Sequence, residues 1–143
     1  MSKWKTIVVG VDGSPPSRTA LTWAADVAAD HGAELVVLTV WEHTLLPPMG
    51  SGGVPATPLP DPRQQATEDL LTIIKDELGE DPPVHVQPRV KEGHAAQVLI
   101  KQSADADLLV VGTRGRGGFK GLVLGSVSQH VAAYAKCPVT VVR

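Results

Sequence analysis

Five short apolar segments alternate with four amphipathic ones along the chain. The apolar segments are rich in valine and leucine, and the first, second and fourth are apolar on both parities, which is typical of parallel strands buried on both faces. They predict strands at residues 6–11, 34–41, 84–90, 107–111 and 138–142. The segments between them place apolar residues at helical spacing and predict four helices, the last two over 94–104 and 127–136.

The first two predicted helices begin and end at residues that favour helix termini. Ser14 followed by Pro15 is a typical helix start, because the serine caps the first turn and proline lacks an N–H that would go unpaired there. Gly32 is the expected stop. The same start signal recurs at positions 61–62, and the second helix is predicted to end at Gly79.

Strands that alternate with helices imply right-handed crossovers and a doubly wound, Rossmann-like parallel sheet, for which we predict the strand order 3-2-1-4-5 in one domain over residues 1–143. Pro88 cannot donate to a ladder, so the third strand belongs at an edge. Residues 42–60 contain too many prolines and glycines for a regular element. This long loop is interpreted either as a lid over the binding site or as a mobile insertion.

Composition narrows the class of protein. A net charge of −2 over 143 residues argues against a nucleic acid or a membrane surface as the main partner. Cys137 is the only cysteine, which fits a reducing compartment and a small core residue. No segment reaches the roughly 20 apolar residues of a membrane span, and no secretory signal is evident, so a cytoplasmic location is expected. The five histidines are scattered and predict no protein-bound metal.

Open parallel sheets bind ligands beyond the carboxyl ends of their strands. One of the loops at that edge, residues 112–126, contains six glycines together with Arg114, Arg116 and Lys120, and it leads into the last helix at Ser126. Glycines let backbone N–H groups converge on an anion, and a helix N-terminus favours negative charge, so the loop predicts a phosphate site. A solvated surface loop is the alternative reading.

Two common phosphate-binding motifs are excluded. A Walker loop needs a Gly-Lys pair, which the chain lacks. The dinucleotide pattern begins at Gly115 and Gly117, but Lys120 occupies its third glycine position, and the pattern would follow the wrong strand. What the loop does contain is Gly-x₂-Gly-x₉-Gly-Ser, at positions 112, 115, 125 and 126.

This motif resembles that of the universal stress protein family, in its ATP-binding branch. The segments VVGVDGS (8–14), DLLVVGTRGRGG (107–118) and CPVTVV (137–142) extend the resemblance over nearly the whole chain. The resemblance implies that ATP is bound with Mg²⁺ on its phosphates, with Asp12 at the adenosine end and Val40 and Trp41 covering the base. Gly10 is expected to leave room for a flat base. The alternative interpretation of Asp12 is a turn residue before Gly13. The implied nucleotide-binding residues are Gly10, Val11, Asp12, Val40, Gly112, Thr113, Arg114, Gly115, Arg116, Gly117, Gly118, Gly125, Ser126, Val127 and Ser128.

The expected function is that of an ATP-binding stress-response regulator in which the nucleotide orders loops and alters the surface offered to an unknown protein partner. The resemblance also implies a homodimer paired through the last strand, whose short apolar edge over 139–142 seeks a partner. Two alternatives stay open. One is a slow ATPase or a nucleotidyl- or phosphoryl-transferase, in which Asp12 or Glu42 would serve as base. The other is an interaction scaffold without nucleotide.

Overall fold

The computed structural model describes residues 3–42, 61–113 and 125–143. Within these ranges strands and helices alternate strictly along the chain. The elements are β1 (Thr6–Gly10), α1 (Pro15–His31), β2 (Glu34–Trp41), α2 (Pro62–Leu78), β3 (Val86–Glu92), α3 (Ala95–Ser103), β4 (Leu108–Gly112), α4 (Ser126–Tyr134) and β5 (Val139–Val142).

The five strands form one sheet in the order β3-β2-β1-β4-β5, and every pairing is parallel. This confirms the predicted strand order and the Rossmann-like α/β architecture. It also confirms that β3, which contains Pro88, lies at an edge. Proline is tolerated there because its missing N–H removes no bond from a central ladder.

Two hydrophobic clusters cover the two faces of the sheet. Alternate residues of the central strands point to opposite faces: Ile7 and Val9 belong to one cluster, whereas Val8 belongs to the other. The first cluster includes buried residues of α1 and α2, and the second includes Leu99 of α3 and Val131 of α4. Helices therefore pack on both faces, which explains why the central strands are apolar on both parities.

The predicted helix starts and stops are confirmed in the structure. The Ser14 side chain accepts from the Ser17 backbone N–H, and Pro15 is the first residue of α1. Gly32 ends α1 with a φ of 65°, in the left-handed region that favours glycine. Asp61 caps α2 by accepting from the Arg63 N–H at 3.0 Å.

Several boundaries differ from the predicted ones by one or two residues. The largest shift is in β3, which was expected over 84–90 but pairs with β2 from Leu35↔Val86 to Trp41↔Glu92. The partner strand extends to Trp41, so its ladder holds the polar end of β3 in the sheet. The last helix ends at Tyr134 rather than 136 because Ala135 is extended, three residues ahead of Pro138.

No helix in the described ranges is both long and apolar enough to cross a membrane. The predicted loop at 42–60 lies outside the described residues except for Glu42.

Candidate nucleotide-binding cleft

The order of the strands creates a cleft between the carboxyl ends of β1 and β4. These strands are neighbours, but α1 follows β1 onto one face of the sheet and α4 follows β4 onto the other. The chain therefore diverges at this point and leaves a crevice, which is where open α/β sheets bind ligands. The cleft is lined by Gly10, Val11, Asp12, Ser17, Leu38, Val40, Ala95, Leu99, Val111, Gly112, Val127 and Ser128.

The lining has an apolar part and a polar part. Leu38 and Val40 of β2 meet Ala95 and Leu99 of α3, and none of these side chains has a polar atom. Asp12 and the start of α4 supply charge and N–H groups to the same cleft. Its volume is about 100 Å³, below the roughly 300 Å³ of a pocket that encloses a small ligand. The described residues therefore enclose less space than a whole small ligand fills.

Asp12 is fixed in a tight turn between β1 and α1. Its Oδ1 accepts from the Ser14 backbone N–H at 2.9 Å and from the Ser14 hydroxyl at 2.5 Å. Its own N–H donates to Ser17 Oγ at 3.2 Å, and Gly13 between these residues has a φ of 85°. Asp12 is thus a residue of the turn before α1, which is one of the two interpretations of the sequence. It also lines the cleft, which the nucleotide-binding interpretation requires. The two roles are compatible because a carboxylate can accept several hydrogen bonds.

The N-terminus of α4 supplies backbone donors. The first N–H groups of a helix have no intrahelical acceptor, and Gly125 at the cap position has no side chain to accept from them. Val127 and Ser128 in this first turn line the cleft. The partial positive charge of the helix terminus adds to these donors, so the end of the cleft is suited to an anion.

The two ends of the glycine-rich segment are joined by backbone hydrogen bonds. The Gly125 N–H donates to the Thr113 carbonyl at 2.7 Å, and the Thr113 N–H donates to Val142 of β5 at 2.9 Å. Thr113 at the end of β4 and Gly125 at the start of α4 therefore lie side by side.

Gly112 and Ser128 have structural roles that their residue types did not reveal. A Cβ at Gly112 would lie 2.7 Å from the backbone carbon of Pro16, so close packing of β4 against α1 requires glycine. The buried Ser128 hydroxyl donates to the Gly112 carbonyl at 2.5 Å. That proton is committed within the protein, so what Ser128 offers a ligand is chiefly its N–H.

The space beside Gly10 differs from the expectation that it is left for a flat base. A Cβ built on Gly10 would meet Leu99 Cδ2 at 3.0 Å. Leu99 therefore occupies the position next to Gly10 and forms a wall of the cleft.

The fifteen predicted site residues fall into three groups. Seven line the cleft: Gly10, Val11, Asp12, Val40, Gly112, Val127 and Ser128. Thr113, Gly125 and Ser126 lie next to it, at the junction just described. The predictions for Arg114, Gly115, Arg116, Gly117 and Gly118 fall outside the described residues.

Five lining residues were not predicted: Ser17, Leu38, Ala95, Leu99 and Val111. Leu38 and Val111 could have been found, because each lies near the carboxyl end of a central strand. Ala95 and Leu99 carry no such signal. They reach the cleft because α3 crosses back over the sheet from its edge strand, which only tertiary packing determines.

The resolved pKa shifts lie away from the cleft. Backbone N–H groups of Lys5 and Thr6 donate to Asp107 at 2.8 and 3.0 Å and hold the pKa of that carboxyl below its usual range. Burial raises the pKa of the Cys137 thiol, and the nearby Asp107 charge acts in the same direction. A raised pKa lowers the reactivity of a thiol, because less of it is present as the thiolate.

Among the described residues, no three His, Cys, Asp or Glu side chains are grouped so as to hold a metal ion.

A doubly wound sheet with a cleft of this kind defines a Rossmann-like α/β class of protein. Comparison with known proteins gives the family: the model of the universal stress protein family matches residues 3–143. The chain belongs to the universal stress protein family.

Relatives and solved structures agree with this assignment. A universal stress protein of Mycolicibacterium smegmatis is 37% identical over 141 residues, covering 96% of this chain and 45% of the relative. The chain thus spans about half the length of that curated relative. Universal stress protein UspA from Lactobacillus plantarum has the same fold, with a TM-score of 0.78 at 23% identity and 100% coverage of both chains. A universal stress protein solved in complex with cAMP is 28% identical, with a TM-score of 0.66 and coverage of 99% and 98%.

Proposed function

We propose that this chain binds ATP in the cleft between β1 and β4 and acts as a stress-response regulator. The observation that carries the proposal is the convergence, in one cleft, of an apolar wall, the Asp12 turn and the N-terminus of α4, where the cap residue Gly125 has no side chain to accept from the first N–H groups. A nucleotide has the matching order of chemistry: a flat base, a sugar with hydroxyls, and phosphates. The similarity to a universal stress protein in complex with cAMP supports an adenine nucleotide as the ligand class.

Each part of the cleft has an assigned role in this proposal. Leu99 and Val40 pack against adenine, Asp12 accepts from a ribose hydroxyl, and the N–H groups of Val127 and Ser128 donate to phosphate oxygens. The phosphate-binding segment would continue into residues 114–118, as the motif predicts. Mg²⁺ would arrive on the phosphates, because the described lining offers a single carboxylate and serine hydroxyls.

Regulation requires that ATP bind two states of the protein with different affinity. We propose that the occupied cleft stabilises one arrangement of the loops at the carboxyl edge and so changes the surface available to a protein partner.

We also propose that the protein forms a homodimer paired through β5 and is located in the cytoplasm. The edge of β5 is short and apolar over Val139–Val142, which makes it a suitable pairing surface.

Isothermal titration calorimetry with ATP, ADP, AMP and cAMP, with and without Mg²⁺, tests the ligand. We expect saturable one-site binding of ATP that weakens as phosphates are removed. Gly115→Val should reduce ATP affinity, because a β-branched side chain blocks close approach of an anion to the backbone. Equal affinity in that variant, or no binding of any of the four nucleotides by the wild type, would contradict the proposal.

The enzymatic alternative is tested separately by single-turnover assays for ADP and AMP release. Glu42, one of the two candidate bases, contacts His94 Nδ1 at 3.2 Å and does not line the cleft. Asp12 is then the carboxylate that would have to act. Turnover well above the uncatalysed rate, lost in Asp12→Asn, would favour an ATPase over a regulator.

A further inference from the structure

The turn that places Asp12 in the cleft is also held by Arg18, whose side chain does not line the cleft. Arg18, the fourth residue of α1, donates from Nε to the Gly13 carbonyl at 3.2 Å. Gly13 lies between Asp12 and Ser14 and has a left-handed φ of 85°. This hydrogen bond therefore fixes the peptide that sets the direction of the Asp12 side chain.

The other end of the same guanidinium is anchored on α2. Its Nη1 donates to Glu77 Oε1 at 3.2 Å and lies 3.8 Å from Asp76 Oδ2. The exposed fractions of the Arg18 and Glu77 side chains are 32% and 27%, so the pair is partly shielded from solvent. Shielding makes such a pair stronger than one at a fully exposed site.

Arginine is suited to this position because its planar fork donates from several nitrogens at once. One nitrogen holds the turn while another holds the carboxylates of α2. A lysine ammonium is a single point donor on a flexible stem and cannot reproduce both contacts in that geometry. The requirement is thus for the guanidinium shape as well as for positive charge.

We infer that Arg18 is a positioning residue for the nucleotide site, holding the Asp12 turn in its binding conformation by bracing it against Glu77 of α2. The inference rests on the proposed function for its ligand, since the affected affinity is that for ATP. It adds a residue outside the cleft lining and makes the C-terminal end of α2 part of the support of the site. Because binding and turn geometry are linked, loosening the brace lowers affinity without removing any ligand contact.

The test combines calorimetry with NMR-detected amide exchange. In Arg18→Ala and in Arg18→Lys we expect the Kd for ATP to rise about three- to tenfold, the range for loss of a charge-assisted hydrogen bond at a partly exposed site. The Ser14 amide, which donates to Asp12, should exchange faster in both variants. Glu77→Gln keeps an oxygen that accepts from Arg18 and should restore most of the affinity lost in Glu77→Ala.

A matched control lies on the same helix. Lys75 of α2 pairs with Glu80 at 3.2 Å, and its side chain is 66% exposed. No hydrogen bond or ion pair joins Lys75 to the Asp12 turn among the described residues. Lys75→Ala therefore removes an ion pair from α2, and we expect it to leave the Kd for ATP and Ser14 exchange unchanged. Inorganic tripolyphosphate provides a second control. It would engage the α4 end of the cleft, and its affinity should not change in Arg18→Lys.

Two results would overturn the inference. One is that both Arg18 variants keep the ATP affinity and the Ser14 exchange rate of the wild type. The other is that an Arg18 variant loses tripolyphosphate affinity and ATP affinity equally, which would indicate a general structural effect. Failure of the proposed function looks different: the wild type itself would not bind ATP. In that case the Ser14 exchange rates still decide whether Arg18 holds the turn: faster exchange in Arg18→Lys than in Lys75→Ala would show that it does.

Discussion

Replacing Gly112 by alanine should destabilise the protein through a clash between two backbones. The added Cβ would lie 2.7 Å from the Pro16 carbon and 2.8 Å from its oxygen, and ordinary contact begins at 3.4 Å. Since 3.4 minus 2.7 is 0.7, β4 and the start of α1 must separate by about 0.7 Å. Neither partner is a side-chain end that can rotate away. Overpacking of this kind costs about 1–3 kcal/mol.

Part of this cost is offset in the unfolded state. Alanine has less backbone freedom than glycine, which stabilises the folded protein by about 0.4–1 kcal/mol where the native φ is compatible. We therefore expect a net loss of about 1–2 kcal/mol for Gly112→Ala, measured as the free energy of unfolding in urea at fixed protein concentration, with an unchanged m-value.

Gly10→Ala on the neighbouring strand is the matched control. Its Cβ would meet the Cδ2 of Leu99 at 3.0 Å, which is the end of a flexible side chain. Leu99 can yield by a few tenths of an ångström, so the net change should lie within about 0.5 kcal/mol of zero. If Gly112→Ala proves no more destabilising than Gly10→Ala, the packing explanation for Gly112 is wrong.

Three further predictions concern other contacts. Ser128→Ala should lower the free energy of unfolding in urea by about 1–2 kcal/mol, because it removes the hydroxyl that donates to the Gly112 carbonyl. Ser126→Ala, two residues away at an exposed position, should change that free energy by no more than about 0.5 kcal/mol. Equal effects of the two variants would refute the role of the hydrogen bond. Val141→Asp should shift the sedimentation of a β5-paired dimer toward monomer while Lys91→Asp on β3 does not, and an unchanged dimer would count against that interface. Asp107→Asn should be less stable than wild type at neutral pH. Because the pKa of Asp107 is lowered on folding, its contribution to stability is present above the ordinary aspartate pKa of about 3.9 and disappears as the pH falls through the lowered value. A difference in unfolding free energy between variant and wild type that persists at the acid end would contradict the assignment.

Much of the fold could be predicted because its signals are local. Buried strands are apolar on both parities, and caps such as Ser14 and Gly32 act within one helical turn. The register of β3 could not be predicted. Val84, Val86 and Val90 share a parity, so a shift of two residues leaves the same side chains on the same face. Pairing with β2 then decides where the strand begins.

The site was predictable only where residue type and strand end coincide. Asp12 follows β1 directly and is found in the cleft. Gly112 was assigned to phosphate binding, whereas the structure also ties it to Pro16 through packing of distant segments. Leu99 and Arg18 escaped prediction for a related reason: their roles depend on how α3 and α2 lie against the sheet and α1, which sequence spacing does not encode.

An NMR titration of the ¹⁵N-labelled protein with ATP tests whether an adenine nucleotide binds in the cleft between β1 and β4. If it does, we expect the backbone amides of Asp12, Val127 and Ser128 to shift in a saturable way, whereas those of Ile73 and Ile74 on α2 do not shift. Saturable shifts confined to other surfaces, with these three amides unmoved, would contradict binding in this cleft.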